Sequence, residues 1–243
     1  MTFDVDFDFL TEVKPHQDAD TYSRTLRVYH RMLWSKPLPS GRPFTLATPS
    51  NRALGGYLTH EMPDGSILTL GSDAFTNSWS TWIRPRSLVQ ARDALNSQQR
   101  ARFLNPPYTI GQSIIWPLRT KDGSINTARV QGKISDRIDL TLECVRRHYA
   151  GEWSPLAKRL DAYTDYFALF DDFAGYVRFF LLDDLVDPNC TSVLIPTAFD
   201  GFKRNAAPAT LDEFVTLREA TLDFIERRQR RMVAWAKAVA AAS

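Results

Sequence analysis

The segment ISDRIDLTLEC, residues 134–144, is where the pattern of the chain changes from strands to a helix. Apolar side chains recur from there at steps of three and four residues, at Ile134, Ile138, Leu142, Val145 and Tyr149. That spacing places them on one face of an amphipathic helix. Gly151 then interrupts the pattern. We therefore predict a helix that begins near Ser135, stops at Gly151 and packs its apolar face into the core.

Upstream of this segment, the pattern predicts strands joined by tight turns. Two short runs, GYLTH at 56–60 and SILTL at 66–70, flank Pro63-Asp64-Gly65. Proline fixes its own φ and glycine accepts a positive φ, so this tripeptide predicts a hairpin turn. A further strand is predicted over 108–118, and Lys121-Asp122-Gly123 after it predicts a second hairpin by the same chemistry.

The N-terminal residues show a different alternation. Over residues 3–9, phenylalanine or valine alternates with aspartate, which predicts an extended edge strand. A helix follows, because Asp18 or Asp20 can cap a segment with helical apolar spacing that runs to about Ser35.

Beyond residue 150, the signals are those of helices. Ser154-Pro155 favours a helix start, because proline is well tolerated in the first turn. Residues 176–186 are apolar nearly all round, so we expect them at the centre of the core. Thr210-Leu211-Asp212-Glu213 has the form of a capping box and predicts a helix that runs nearly to the C-terminus.

These elements predict one α+β domain over residues 1–243. Strands and helices do not alternate as a doubly wound sheet requires, so we expect a mostly β N-terminal half packed on an α-helical C-terminal half. The boundary between a β-rich part, 1–130, and a helical part, 131–243, contains no linker rich in glycine, serine or proline.

Charge and cysteine content exclude several classes. Lys and Arg total 30 against 28 Asp and Glu, so global charge does not by itself indicate a nucleic-acid-binding protein. Cys144 and Cys190 are the two cysteines, and they form neither a disulfide framework nor a zinc-ligand pattern. The N-terminus, MTFDVD, lacks the features of a signal peptide, and we find no membrane span. We therefore expect a cytoplasmic protein without a structural zinc site.

A first candidate site lies in the helix before Ser35. His30 and Trp34 are four residues apart and share a helical face. His30 is a candidate acid or base, and Lys36 is a candidate ligand for phosphate. The alternative is a half-buried aromatic face, with Lys36 near the helix C-terminus for electrostatic reasons.

A second candidate surrounds the second hairpin. Four cations and an amide fall within fifteen residues of one another: Arg119, Lys121, Asn126, Arg129 and Lys133. Such a group can hold a phosphate or a carboxylate. The alternative is a solvated hairpin tip.

A third candidate is the helix that begins near Ser135. Asp136, Asp139 and Glu143 are spaced to share one face of it. Three acids on one face can hold a divalent metal or supply a base. The alternative is structural, because Asp139 and Glu143 are also placed to form ion pairs with Arg146 and Arg147. A weaker candidate combines one acid from Asp171-Asp172 with one from Asp183-Asp184 across two helices.

Three stretches carry a resemblance to known sequences. They are YHRMLWSKPLP at 29–39, ISDRIDLTLEC at 134–144 and GYVRFFLL at 175–182. Together they resemble a family of uncharacterised bacterial proteins of about this length. The resemblance extends from about Tyr22 to Arg231, which implies a single domain, and it implies no activity, cofactor or catalytic residue.

Two functions follow as hypotheses. The first is binding of a nucleotide, nucleic acid or other phosphorylated partner, because basic clusters at 119–133, 137–147 and 227–231 are interleaved with tryptophans. Its expected ligand-binding residues are Arg119, Arg129, Arg137, Arg147, Trp34 and Lys36. The second is a hydrolase or transferase acting on such a partner, in which Asp136, Asp139 and Glu143 face His30 or His148 as acid or base. No motif identifies a cofactor.

Overall fold

The computed structural model describes residues 3–49, 57–74, 86–104, 106–119, 123–124, 133–134, 137–204 and 206–242. Its α-helices are α1 (Ala19–Tyr22), α2 (Arg24–Trp34), α3 (Arg86–Ala94), α4 (Ser97–Leu104), α5 (Ile138–Tyr149), α6 (Ala157–Asp161), α7 (Thr164–Ala168), α8 (Phe173–Phe179) and α9 (Leu211–Ala242). Its strands are β1 (Lys36–Pro37), β2 (Pro43–Phe44), β3 (Leu58–Glu61), β4 (Ile67–Ala74), β5 (Ser113–Arg119) and β6 (Gly123–Ser124). Short 3₁₀ helices occupy Phe9–Glu12, Ile110–Gln112 and Asp183–Leu185. The fold class is α+β.

The main sheet has four antiparallel strands in the order β3-β4-β5-β6. The first predicted hairpin is confirmed: Met62 and Ser66 close the turn through a 2.8 Å backbone hydrogen bond, and Gly65 has φ of 83°. β5 and β6 pair antiparallel, as the second predicted hairpin requires, and the residues that join them lie outside the described ranges. β1 and β2 form a separate two-stranded sheet.

The predicted N-terminal edge strand is wrong. The chain forms a 3₁₀ helix at Phe9–Glu12 instead, because the Asp8 carboxylate accepts a hydrogen bond of 3.0 Å from the N–H of Leu10. Phe9 is fully buried and packs edge-on against Tyr29 and Tyr108. The alternation of apolar and acidic residues therefore reflects a capped turn with a buried aromatic anchor.

The helical half follows the sequence pattern closely. α5 and α9 are confirmed, and the Thr210 hydroxyl caps α9 by accepting from the N–H of Glu213 at 3.1 Å. The Glu213 carboxylate accepts from Ala209 rather than Thr210, so the reciprocal bond lies one residue earlier than in a standard capping box. Because the first half also contains α1 to α4, it mixes helices with its strands and is not mostly β.

The apolar residues of segment 176–186 lie in the core, with one exception. Val177, Phe180 and Leu182 are fully buried, but Leu181 is partly exposed. Leu181 has φ of 55°, and the N–H of Leu182 bonds to the Val177 carbonyl at 2.9 Å. This is the left-handed cap that commonly ends a helix, and it turns Leu181 away from the interior.

Candidate functional site

A cavity of about 350 Å³ lies between the start of α5, the segment after Asp183–Leu185, and α9. Its apolar walls consist of Ile138, Leu185, Val193, Leu194, Ile195, Pro196, Leu217, Ala220 and Phe224. Five of the lining residues belong to α9, and their spacing places them on one helical face: Leu217, Ala220, Thr221, Phe224 and Arg227. Three charged side chains also line the cavity: Asp139, Asp184 and Arg227.

Asp139 is neutralised by its neighbour Arg137. The Nε of Arg137 donates to Oδ1 of Asp139 at 3.1 Å, and its Nη2 donates to Oδ2. Both side chains are 6% exposed, and Arg137 also donates to the carbonyl of Ala206 at 3.1 Å. The two charges therefore form a buried bidentate pair at the wall of the cavity.

Asp184 forms hydrogen bonds with Arg231 but not with Arg227, although both arginines lie near it. It accepts from Nε and Nη2 of Arg231 at 2.8 and 3.1 Å, and these hydrogen bonds hold the pKa of Asp184 below its ordinary value. The Nε of Arg227 is 3.9 Å from Asp184, too far for a hydrogen bond. Among the described residues, Arg227 makes no hydrogen bond, and its side chain is 49% exposed.

Glu143 and Arg147 lie further along α5 and do not line this cavity. Arg146 and Arg147 both donate to the Glu143 carboxylate, at 2.7–3.0 Å. Burial alone would raise the pKa of Glu143, but these hydrogen bonds outweigh burial and lower it. Arg147 also donates to the carbonyl of Trp153 at 3.2 Å and lies 5.1 Å from the ring of Phe202. Both residues therefore take part in local ion pairs.

A smaller recess of about 20 Å³ adjoins Lys133, Arg137 and Arg204. It has room for about one water molecule. Lys133 donates to the carbonyl of Lys203, and Arg204 bonds to Glu213 at 3.2 Å and to a backbone carbonyl. The cations of this recess therefore already have partners.

The remaining predicted residues are dispersed. Asp136 and Arg129 lie outside the described residues, and Arg119 is the last residue of β5. Trp34 is fully buried, and the Nζ of Lys36 lies 5.1 Å from the centre of its ring. The structure thus brings one predicted acid, Asp139, and one predicted arginine next to it, Arg137, to the cavity region.

His30 belongs to a buried polar network away from α5. Its Nδ1 accepts from Nε1 of Trp34 at 3.1 Å, and its Nε2 lies 2.9 Å from the hydroxyl of Ser72 and 3.2 Å from that of Ser113. Burial, and then the charge of Arg228, lower the pKa of His30 to about 3. The imidazole is therefore neutral with its proton on Nε2, so it donates to the serines and does not act as their base.

The network continues from the serines to a carboxylate. The hydroxyls of Ser72 and Ser113 are 2.8 Å apart, and the hydroxyl of Tyr108 lies 3.3 Å from Ser113 and donates to Asp20. Burial is the main reason that the pKa of Asp20 is raised to about 6, and the nearby charge of Asp18 adds to it. Hydrogen bonds from Tyr108 and Ser72 oppose the rise.

Two functional features escaped the sequence analysis. Arg227 appeared only as part of a basic run, and the helical spacing of Leu217, Ala220, Phe224 and Arg227 was a signal that could have placed it on an apolar face. The link from His30 to Asp20 had no local signal, because the contacts of Ser72 with His30 and Ser113, and of Tyr108 with Asp20, join residues that are 41 to 88 positions apart.

The described ranges also bear on metal binding and on membrane insertion. In that part of the chain, no group of three or more histidine, cysteine, aspartate or glutamate side chains is arranged to hold a metal ion. No helix there combines the length and apolar composition needed to cross a membrane. Cys144 is buried and Cys190 partly exposed, and both are free thiols.

A family model described as "Family of unknown function (DUF6994)" matches residues 3–232. This confirms the resemblance to an uncharacterised family and extends it towards the N-terminus. Neither a curated protein nor a solved structure matches the chain.

Proposed function

We propose that this chain, which belongs to the DUF6994 family of unknown function, binds a small amphipathic anion in the cavity between α5 and α9. The apolar walls hold the body of the ligand, and Arg227 binds its carboxylate or phosphate. The observation that carries the proposal is the position of Arg227, which lines the cavity without a hydrogen bond to any described residue. The cytoplasm remains the proposed compartment.

The size and lining of the cavity suit such a ligand. A volume of about 350 Å³ falls at the lower end of the range of small-molecule sites, which combine apolar walls with a few polar groups. A guanidinium group presents several N–H donors in one plane, which match the two oxygens of a carboxylate or phosphate. Because Arg231 already satisfies Asp184, the donors of Arg227 remain for a ligand.

A second polar group distinguishes the site from a simple apolar hollow. The two oxygens of Asp139 each accept one hydrogen bond from Arg137, and a carboxylate oxygen can accept more than one. A ligand hydroxyl that reaches Asp139 can therefore donate to it. We accordingly expect a ligand with an anionic head, an apolar body and a hydrogen-bond donor.

This proposal narrows the anion-binding hypothesis drawn from the sequence. Arg137 and Arg147 are held in ion pairs with Asp139 and Glu143, so neither has its full donor set available for a phosphate. In this proposal, the anion is bound by Arg227 rather than by Arg137 or Arg147. The enzyme hypothesis gains no support from His30, because none of its hydrogen bonds in the described part of the chain reaches α5. His148, the other candidate base, lies on α5 itself, and its Nδ1 is 3.2 Å from Asp161.

The test uses two fluorescent probes with the same ring system. 8-Anilinonaphthalene-1-sulfonate carries an anionic head, and N-phenyl-1-naphthylamine is its uncharged counterpart. A hydrogen bond to a charged group contributes about 1.5–3 kcal/mol, so Arg227→Gln should weaken sulfonate binding by about tenfold or more and leave the neutral probe within about twofold. Arg230→Gln is the matched control, because Arg230 is exposed on the same helix and does not line the cavity.

A second pair of variants tests the apolar wall. Ala220 lines the cavity, whereas Ala234 is exposed further along α9. Ala220→Phe should fill the cavity and weaken both probes, and Ala234→Phe should weaken neither. Equal effects of Arg227→Gln and Arg230→Gln, with salt-dependent binding of single-stranded DNA lost in both, would instead support nucleic-acid binding on the exposed helix surface.

A further inference from the structure

Lys36 lies in an aromatic cage at the start of β1. Its Nζ is 4.6 Å from the ring centre of Phe179, 5.1 Å from that of Trp34 and 5.6 Å from that of Trp235. No oxygen of the described residues is within hydrogen-bond or ion-pair distance of this nitrogen. Lysine side chains normally extend into water, so an ε-amine enclosed by three rings is an unusual placement.

A second cation lies near the same cage. Arg228 is fully buried, and its guanidinium carbon is 5.6 Å from the ring centre of Trp34. It donates to the carbonyls of Phe180, Gly111 and Ser113, at 2.8–3.2 Å, and its positive charge acts on Lys36. Burial and a nearby positive charge are the two features that activate lysine amines as nucleophiles.

We infer that the Lys36 ε-amine is a reactive nucleophile that forms a Schiff base with a small carbonyl compound whose flat apolar body lies against Trp235. Trp235 is partly exposed, whereas Trp34 and Phe179 are buried beneath the amine, so Trp235 is the ring that an incoming molecule can reach. This site is separate from the cavity that Arg227 lines, and it does not depend on the function proposed above.

The charged groups around the amine act in opposing directions. Burial lowers the pKa of Lys36 most strongly, Arg228 lowers it further and Asp183 raises it, and the result is a pKa of about 8. The ring faces attract an ammonium ion and so oppose part of this fall. With a pKa of about 8, roughly one-tenth of the amine is unprotonated at pH 7, compared with less than a thousandth for an ordinary lysine.

The reaction is a condensation that needs no other reagent. The lone pair of the neutral Nζ attacks the carbonyl carbon and forms a C–N bond. The two N–H protons leave with the carbonyl oxygen as one molecule of water, and a C=N bond remains. Reduction of this imine by an added hydride donor then delivers hydride to carbon and a solvent proton to nitrogen, which makes the product stable for analysis.

The test compares Lys36 with the six other lysines of the intact protein. Benzaldehyde and cyanoborohydride are added at pH 7, and peptide mass spectrometry follows the labelling rate of each lysine. Lys36 should be labelled at least about tenfold faster than Lys158 and Lys237, which are exposed. The rate at Lys36 should rise with pH to a midpoint near 8.

Two variants separate activation from simple accessibility. Trp235→Leu removes the exposed ring against which the carbonyl compound packs, so it should reduce the labelling rate of Lys36 by benzaldehyde at pH 7, although it makes the amine more accessible. Lys158→Arg should leave labelling of Lys36 unchanged. The inference is overturned if Lys36 is labelled no faster than the exposed lysines, or if Trp235→Leu increases its rate.

Discussion

The indole N–H of Trp34 donates to Nδ1 of His30 at 3.1 Å, one turn earlier on the same helix. This bond fixes the imidazole tautomer, because a nitrogen that accepts carries no proton. Nε2 then donates towards Ser72 and Ser113, and Tyr108 donates to Asp20 at the other end of the network. The network therefore begins with the indole donor and ends at the carboxylate, which accepts from Tyr108 and Ser72, and it orients the buried groups that join α2 to the sheet.

The first prediction is that His30 stays neutral over the physiological pH range. Burial and the charge of Arg228 lower its pKa to about 3, so its ring should not titrate between pH 5 and pH 8. Nitrogen-15 NMR should show Nε2 protonated and Nδ1 unprotonated throughout that range. A His30 signal that titrates above pH 5 would contradict the neutral state and the assigned tautomer of this imidazole.

The second prediction concerns Asp20. Its folded-state pKa is raised to about 6, mainly by burial, whereas the carboxyl of the unfolded chain titrates near 3.9. The folded state therefore binds more protons between these values, so this group reduces the free energy of unfolding as pH rises from about 4 past 6. In the variant Asp20→Asn, the side chain does not titrate, so this contribution to the pH dependence of stability is lost.

The measurement is urea unfolding of the wild type and Asp20→Asn at several pH values. The stability of the variant relative to the wild type should increase by about 2 kcal/mol between pH 4 and pH 7. Subtracting the free energy of unfolding of the wild type from that of the variant at each pH removes the contribution of other groups that titrate in both proteins. A difference that is constant with pH, or that falls as pH rises, would show that the pKa of Asp20 is not raised in the folded state.

Local signals in the sequence were reliable where one short segment determines the structure. The turn at Pro63-Asp64-Gly65 and the cap at Thr210 depend on residues within four positions of each other, and both form as predicted. The alternation over residues 3–9 misled because the backbone hydrogen bond to the Asp8 carboxylate, together with the burial of Phe9, favours a turn over a strand.

The candidate site was less predictable because it depends on which charges pair. The sequence showed acids and arginines close together on α5, and the structure pairs Arg137 with Asp139 and both Arg146 and Arg147 with Glu143. Whether Arg227 is available depends on Asp184, 43 positions before it in the sequence, and on Arg231 bonding to that acid. No pattern within a single helix contains that information.

The third prediction concerns the contact between the 3₁₀ helix before β5 and α9. A Cβ added at Gly111 would lie 2.6 Å from Cγ of Gln229 and 3.0 Å from Ile225, whose backbone cannot move without α9. Gly111→Ala should therefore lower the free energy of unfolding by about 1–3 kcal/mol. Gly71→Ala is the control, because its nearest contact would be an ordinary 3.5 Å. Equal effects of the two variants in urea unfolding would contradict this close approach.

The last prediction concerns the buried pair of Arg137 and Asp139, which lies at the wall of the proposed binding cavity. Removal of one partner leaves an uncompensated charge where water is excluded, which costs about 3–5 kcal/mol, whereas replacement of both by apolar residues is far less costly. Arg137→Met and Asp139→Leu should each destabilise the protein strongly in urea unfolding. The double variant should recover most of the loss.

The same double variant also separates the stability of this pair from its role in binding. Without Asp139, the cavity loses one acceptor for a ligand hydroxyl but keeps Asp184, Arg227 and its apolar walls. The affinity of the stable double variant for anilinonaphthalene sulfonate, which places its charge on Arg227, should therefore be within about threefold of that of the wild type.

The control for the stability measurement is an exposed ion pair. Arg102 and Asp223 form such a pair at 3.1 Å, so a matched double-mutant cycle on these two residues should give a coupling free energy below about 1 kcal/mol. Similar coupling in the two cycles would show that Arg137 and Asp139 are not a buried pair.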